Sequence, residues 1–336
     1  MALQTGHDVL MPPTAPRIGL VLGAGGLTGQ AFHAGVLAGL ADGIGWDARS
    51  ADLVVGTSAG ASAGAYVRAG LAPRDASAFL RNLEPSAEGR EIMDRLGESG
   101  DWRTPVGPRN LPQLPQRQLL RRVATRPWQV RPETLLAVAV PPGRVPPESW
   151  TDALHGVTGP GWPAERLWIC ALRISDGRRV VFGRDGSPEV DLATAVGASS
   201  AIPGYFRPVR IAGENYIDGA AHSPTNADLV LSERPDLVII SSPMSLARSA
   251  MTLHPRHAGR LHFRRRLAQE VRRLQLAGIP VVSFQPSTED RNVMGEGGLS
   301  AMSESKNAAV VEQVYATTLR RLARPEFARR LAVAGL

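Results

Sequence analysis

A single cysteine, Cys170, stands in this chain of 336 residues, and one thiol builds neither a disulfide framework nor a cysteine-based metal site. It lies in the apolar run Leu167-Trp168-Ile169-Cys170-Ala171-Leu172 and reads as a buried structural position. Aromatic residues make up only 5% of the chain. No basic segment is interleaved with them in a recognisable module, so nucleic-acid binding is not expected. The net charge of +7 follows a general bias toward Ala, Arg and Pro, and leaves room for a weak attraction to anionic lipid surfaces. No run of about 18 apolar residues suggests a membrane span. Met1 to Pro16 lacks the basic and apolar regions of a signal peptide. The expectation is a cytoplasmic protein, with no metal and no cofactor.

At 43% hydrophobic residues the chain can bury a sizeable core, and its length suits one large domain or two modest ones. Arg17 to Leu22 reads as a first strand. A glycine-rich loop, Gly23 to Gly29, leads into a helix from about Gln30 to Ala41, and a second strand ends at Val55. Strand, helix, strand, helix is the order of an α/β protein with a central, mostly parallel sheet. Regular structure resumes at Leu167 with a strand and a hairpin partner, Arg178 to Phe182. There follow a helix over Asp191 to Ser200, strands at Phe206 to Ile211 and Asn215 to Ile217, and a buried strand at Asp236 to Ile240. His262 to Ala277 reads as a helix, Pro280 to Phe284 as a strand and Ser303 to Leu322 as a closing helix.

The stretch 84–166 differs. Between Leu83 and Arg166 lie 13 of the 27 prolines and four of the six tryptophans. Proline fixes φ and removes a donor, so this reads as a largely irregular insertion with helical pieces near Gln116 to Ala124 and Ser149 to His155. Its tryptophans read as packing groups, with a lipid-facing lid as the alternative. The main domain then covers 17–325, flanked by a flexible segment, 1–16, and a tail, 326–336. The arginine-rich helix at 262–277 has Leu267, Val271 and Leu274 at core spacing, which makes its cations a solvated face; docking on anionic membrane is the sharper reading.

The chemistry centres on Gly56-Thr57-Ser58-Ala59-Gly60. It follows the β-branched run Leu53-Val54-Val55 and precedes an alanine-rich segment, Ala61 to Ala69. That is the strand–turn–helix setting of a G-x-S-x-G nucleophile elbow, where the serine meets the free amides and dipole of a helix N-terminus. Alone, the two glycines could merely shape a βα turn. A dinucleotide fingerprint beginning at Gly23 fails at Thr28, and no acid closes the second strand. Acyl transfer through Ser58 needs a base and oxyanion donors. Gly25, Gly26 and Ala59 can offer backbone amides. The base is either a late histidine, from His222, His254, His257 and His262, or Asp218, an acid at a strand end followed by Gly219 and Ala220. The Ser58–Asp218 dyad fits the sequence better.

Four ordered blocks resemble the patatin-like phospholipase family: the loop Gly23–Gly29, the elbow Gly56–Gly60, the segment Ala198-Ser199-Ser200-Ala201-Ile202-Pro203-Gly204-Tyr205-Phe206-Arg207-Pro208-Val209, and Asp218-Gly219-Ala220. The resemblance runs from about Ile18 to Ile240. It implies a three-layer α/β/α fold and hydrolysis of lipid acyl esters, without a histidine or a cofactor. Ser58 is then the nucleophile and Asp218 the base, with Gly25, Gly26 and Ala59 around the oxyanion. Peripheral membrane contact fits such a substrate. An acyltransferase using the same acyl-serine, or a catalytically silent binding member, are the alternatives. The chain departs from the family in having Thr28 where a basic residue is usual, which weakens any preference for charged head groups. Ala221-His222-Ser223-Pro224-Thr225-Asn226 also replaces the more usual asparagine-proline run.

Overall fold

The computed structural model describes residues 15–96, 117–247, 258–295, 301–332 and 335–336. The expected flexible segment 1–16 falls almost wholly outside them, as do Trp102, His254 and His257. Among the described residues, eight strands form one sheet: β1 (Ile18–Leu22), β2 (Leu53–Gly56), β3 (Leu167–Arg173), β4 (Arg179–Phe182), β5 (Val209–Ile211), β6 (Glu214–Asp218), β7 (Leu237–Ser241) and β8 (Val281–Phe284). Their order is β5-β6-β3-β2-β1-β7-β8, with β4 paired to β3. The five strands β3-β2-β1-β7-β8 run parallel, and β4, β5 and β6 add antiparallel pairs at one side.

Side chains alternate across this sheet, and both faces are covered. Leu20, Leu22, Val54, Ile169 and Ile239 share one buried cluster. It packs against α1 (Gly26–Ile44), α2 (Ala59–Arg68), α8 (Leu192–Ser199) and α11 (Asn307–Leu322). Val21, Val55, Trp168, Cys170, Val238 and Ile240 face the other way, onto Leu229 and Val230 and onto Leu267 and Leu274 of α9 (Ala258–Leu276). This is a three-layer α/β/α arrangement, with Cys170 buried as the sequence suggests.

The remaining helices are α3 (Pro73–Leu80), α4 (Ala87–Asp94), α5 (Arg117–Thr125), α6 (Pro132–Ala139), α7 (Glu148–Thr158), α10 (Thr288–Met294) and α12 (Pro325–Ala332). The 84–166 stretch is therefore more helical than its proline content suggests. Within it, prolines stand at the first positions of α6 and of the short 3-10 turn Pro127–Gln129, where a missing N–H costs nothing and the fixed φ suits the helix. Trp162 packs against the core and donates its indole N–H to the carbonyl of Val190 at 2.6 Å, whereas Trp128 stands in solvent. The expected tail at 326 is instead mostly α12, anchored by the buried Leu331.

Helix α1 begins at Gly26, four residues before the expected start, because the glycine loop is itself its first turn. The helix is buried along most of its length and packs closely on α11. A Cβ on Gly39 would stand 2.7 Å from Cγ2 of Thr318, and one on Gly35 2.9 Å from the carbonyl oxygen of Val311. Gly39→Val should therefore destabilise the fold by about 1–3 kcal/mol through overpacking, measurable by urea unfolding.

Candidate active site

The elbow is built on strain. Ser58 has φ 54° and ψ −119°, a region a side-chain-bearing residue occupies at a cost of about 1–3 kcal/mol. The conformation persists because its neighbours leave no alternative. A Cβ on Gly60 would stand 1.9 Å from the carbonyl oxygen of Leu22, and one on Gly56 2.6 Å from Cα of Ala61. Only glycine at both positions lets α2 start directly over the end of β1. Thr57 N–H donates to Leu22 O at 3.0 Å. Ser58 N–H donates to Ser199 Oγ at 2.9 Å, and that hydroxyl donates to Cys170 O at 2.6 Å. The serine amide is thus committed to structure.

Strand β3 registers the acid against the elbow. Gly56 pairs with Ile169 and Asp218 with Ala171, two residues along the same strand. The turn after Asp218 passes over β3 so closely that a Cβ on Gly219 would lie 2.2 Å from Cys170 O. Asp218 is 4% exposed and Ser58 3%. The Asp218 carboxylate accepts from the Ala220 amide at 2.8 Å, and the Ser58 hydroxyl is a second neighbour that favours its charged form. Burial pushes its pKa up to about 6, against the opposing pull of the Ala220 amide and the Ser58 hydroxyl.

Three loops are laced together at this end of the sheet. Gly23 N–H donates to Ser241 O at 2.9 Å and Ala24 N–H to Pro224 O at 2.8 Å, so the glycine loop is tied to the acid loop. Asn226 donates to Thr57 Oγ1 at 3.1 Å, so the acid loop is tied to the elbow. Glu270 of α9 accepts from Ser223 Oγ and Thr225 Oγ1, both at 2.6 Å, and from Ala227 N–H at 3.0 Å. Arg179 grips Asn226 and Asp228. The departures at Ser223, Thr225 and Asn226 thus carry their own bracing.

Gly25 is the N-cap of α1, Gly26 has φ 63°, and Gly29 sits against Ala59. The amides of Gly25, Gly26 and Ala59 stand at the unpaired N-terminal ends of α1 and α2, where backbone donors have no intrahelical partner. Gly26, Ser58 and Ala59 line one cleft of about 640 Å³, walled by Leu27, Tyr66, Phe79, Leu154, Ile202 and Phe206 among others. Among the described residues no arginine, lysine or histidine lines it. Thr28 is buried in the first turn of α1 and does not reach the cleft. An apolar cavity of about 80 Å³ adjoins it, sharing Gln30, Tyr66, Phe79 and Leu80.

Of the candidate histidines, the two among the described residues do not line the cleft. His222 is held by its carbonyl, which accepts from Arg131, and burial with Arg179 and Arg131 pulls its pKa down to about 3. His262 pairs with Glu133 at 3.1 Å. Among the described residues a histidine outside the sequence candidates supports the site. His33, fully buried on α1, bonds Gly23 O through Nε2 and Ser241 Oγ through Nδ1, each at 2.7 Å. Burial lowers its pKa to about 4. A neutral ring donates from Nε2 to the carbonyl and accepts the Ser241 hydroxyl at Nδ1. A histidine within an otherwise apolar helical run was the available signal.

With this geometry in hand, comparison with known proteins is direct. The profile of the Patatin family, patatin-like phospholipase, matches residues 20–231, and the chain belongs to that family. Membership supports lipid hydrolase activity in general terms. Among solved structures, the chain is similar to VipD from Legionella pneumophila, at 14% identity and TM-score 0.42, covering 92% of this chain and 67% of that one. It is also similar to the type III effector protein ExoU, at 18% identity and TM-score 0.39, covering 95% of this chain and 54% of that one. No curated protein sequence matches.

The raised pKa of Asp218 has a consequence for stability. A carboxyl whose folded pKa lies above its unfolded value stabilises the fold below pH 3.8, and that contribution is lost as pH rises through about 6. Asp218→Asn, which never ionises, should therefore gain on the unmodified protein over that window, by up to about 3 kcal/mol, in thermal unfolding followed from pH 4 to pH 7.

Proposed function

We propose that the chain hydrolyses acyl esters of lipids through a Ser58–Asp218 dyad. The observation that carries this reading is the juxtaposition of a strained elbow, which presents Ser58 to the cleft, with the buried carboxylate of Asp218 on the adjoining strand end, where the Ser58 hydroxyl helps to favour its charged form. Asp218 takes the proton as Ser58 Oγ attacks the ester carbonyl carbon. The negative charge moves onto the carbonyl oxygen, which accepts from the amides of Gly25, Gly26 and Ala59. The C–O bond to the alcohol breaks, and the protonated Asp218 returns its proton to that alcohol as it leaves. Water then attacks the acyl-serine with Asp218 again as base, releasing the fatty acid and restoring the serine. No histidine is needed, because a carboxylate whose pKa is lifted by burial is a better proton acceptor than an exposed one.

The lining residues support the substrate class. Phe79, Leu80, Leu154, Ile202 and Phe206 offer an apolar wall, and the adjoining cavity extends it between α1, α2, α3 and α4. Among the described residues the cleft lining carries no cation, which favours a substrate whose seated portion is uncharged over one held by its phosphate. Peripheral contact with membrane from the cytoplasmic side completes the reading; among the described residues no helix is long and apolar enough to cross a bilayer.

Ser58→Ala and Asp218→Asn should each abolish turnover of a short-chain p-nitrophenyl ester while the circular dichroism spectrum is retained. Full activity in folded Asp218→Asn would sink the dyad, and a large loss on replacing His222 alone would restore a histidine to the mechanism. A fluorophosphonate probe should label Ser58; an unlabelled folded protein would favour a silent binding member. Product analysis with an added acceptor alcohol separates hydrolysis from acyl transfer. Because the base must be ionised, kcat/KM should fall on the acid side with a midpoint near pH 6, set by the pKa of about 6 at Asp218, and not near the ordinary carboxylate value of 3.8.

A further inference from the structure

We propose that residues 117–140, comprising α5, the turn after it and α6, form the surface that docks this protein on an anionic lipid bilayer. The proposal rests on the lipid-hydrolase reading for its purpose and on separate residues for its evidence. Helix α5 buries Leu119 against Leu172, Ile174 and Ile217 of the sheet, with Val123 packed beside them. Helix α6 buries Thr134 and Val138. Their opposite sides have no cover. Trp128 is 78% exposed, Leu136 71% and Leu120 52%. Pro132, Leu136 and Val140, spaced by four, make one exposed stripe along α6.

Around these apolar groups the charge has one sign. Residues 117–131 contain five arginines and no acid. Arg122 and Arg131 are spent on backbone carbonyls, whereas Arg117, Arg121 and Arg126 point into solvent. The one acid of α6, Glu133, is neutralised by Arg266 and His262 of α9 at 2.8 and 3.1 Å. Beyond that contact α9 continues the basic face with exposed Arg265, Arg272 and Arg273. Arginines beside an exposed tryptophan and leucines match a surface that is anionic at its rim and apolar beneath. The indole sits at the head-group boundary and the leucines insert below it. A nucleic acid would satisfy the arginines but offers Leu120 and Leu136 nothing to enter.

The face is also attached to the chemistry. Arg131 donates to the carbonyl of His222 and Thr134 Oγ1 to that of Ala221 at 3.2 Å, within four residues of Asp218. Docking there places the loop after Asp218 close to the lipid.

The test is sedimentation with vesicles, using Ser58→Ala so that no lipid is consumed. The protein should bind vesicles of phosphatidylglycerol and phosphatidylcholine, bind pure phosphatidylcholine at least about tenfold more weakly, and be released by added salt. Arg117→Gln, Arg121→Gln and Arg126→Gln should each weaken binding by about fivefold. Trp128→Ala with Leu136→Ala should weaken it at least about tenfold. Unfolding midpoints equal to that of the parent exclude misfolding, since all five positions are exposed. Absence of binding to anionic vesicles, or binding indifferent to both sets of variants, overturns the proposal. The two readings fail separately. Vesicles that do not bind a protein still active on a soluble ester defeat the docking face alone, and vesicles that bind an inactive wild type defeat the dyad alone.

Discussion

The contact between Gly60 and the carbonyl of Leu22 is the constraint on which the site depends. It brings the start of α2 over the end of β1 at a separation no side chain tolerates. The backbone at Ser58 is thereby forced into its strained turn, and the hydroxyl is presented at the rim of the sheet. Leu22 serves twice, since its carbonyl also accepts from Thr57. Strain of this kind lasts only where the surroundings over-determine it. Here the surroundings are the parallel register of β1, β2 and β3 and the Ser199 hydroxyl that closes the Ser58 amide. The cost at one residue is offset by a core that covers both faces of the sheet.

The sequence exposed the parts whose signals are local. The strand ends, the elbow, the glycine loop and the acid–glycine–alanine turn are each written in a few adjacent residues, and the strands were placed within a few residues. The start of α1 was not, because a helix whose first turn is a glycine loop violates helix propensity and is stabilised by Pro243 and Met302 packed on it from afar. Helices α4 and α6 were hidden among prolines that turn out to initiate helices or to lie outside them. The bracing of the acid loop was invisible for a different reason. Glu270 lies 43 to 47 residues from its partners, and His33 bonds Ser241 across 208 residues. Pairings of that separation exist only once the sheet order is known.

The arginine-rich helix shows how one element can answer two readings. Leu267 and Leu274 are buried as the spacing of apolar residues suggested, so α9 is first a layer of the fold. Its polar residues then divide by position. Glu270 points inward and holds the acid loop, Arg266 reaches sideways to α6, and Arg272 and Arg273 remain in water. A charge-rich helix is therefore neither simply a solvated face nor simply a binding device.

His33 and Asp218 invert the usual order in which a histidine and an aspartate titrate. The ordinary values are 6.5 and 3.8; here burial sets them near 4 and near 6. Over the whole range in which Asp218 is charged, the imidazole braced against the glycine loop is neutral. No cation on that loop competes for the carboxylate, so Asp218 keeps its elevated proton affinity. The glycine loop is held by a ring that carries two hydrogen bonds and no charge, leaving its amides as the local source of positive potential.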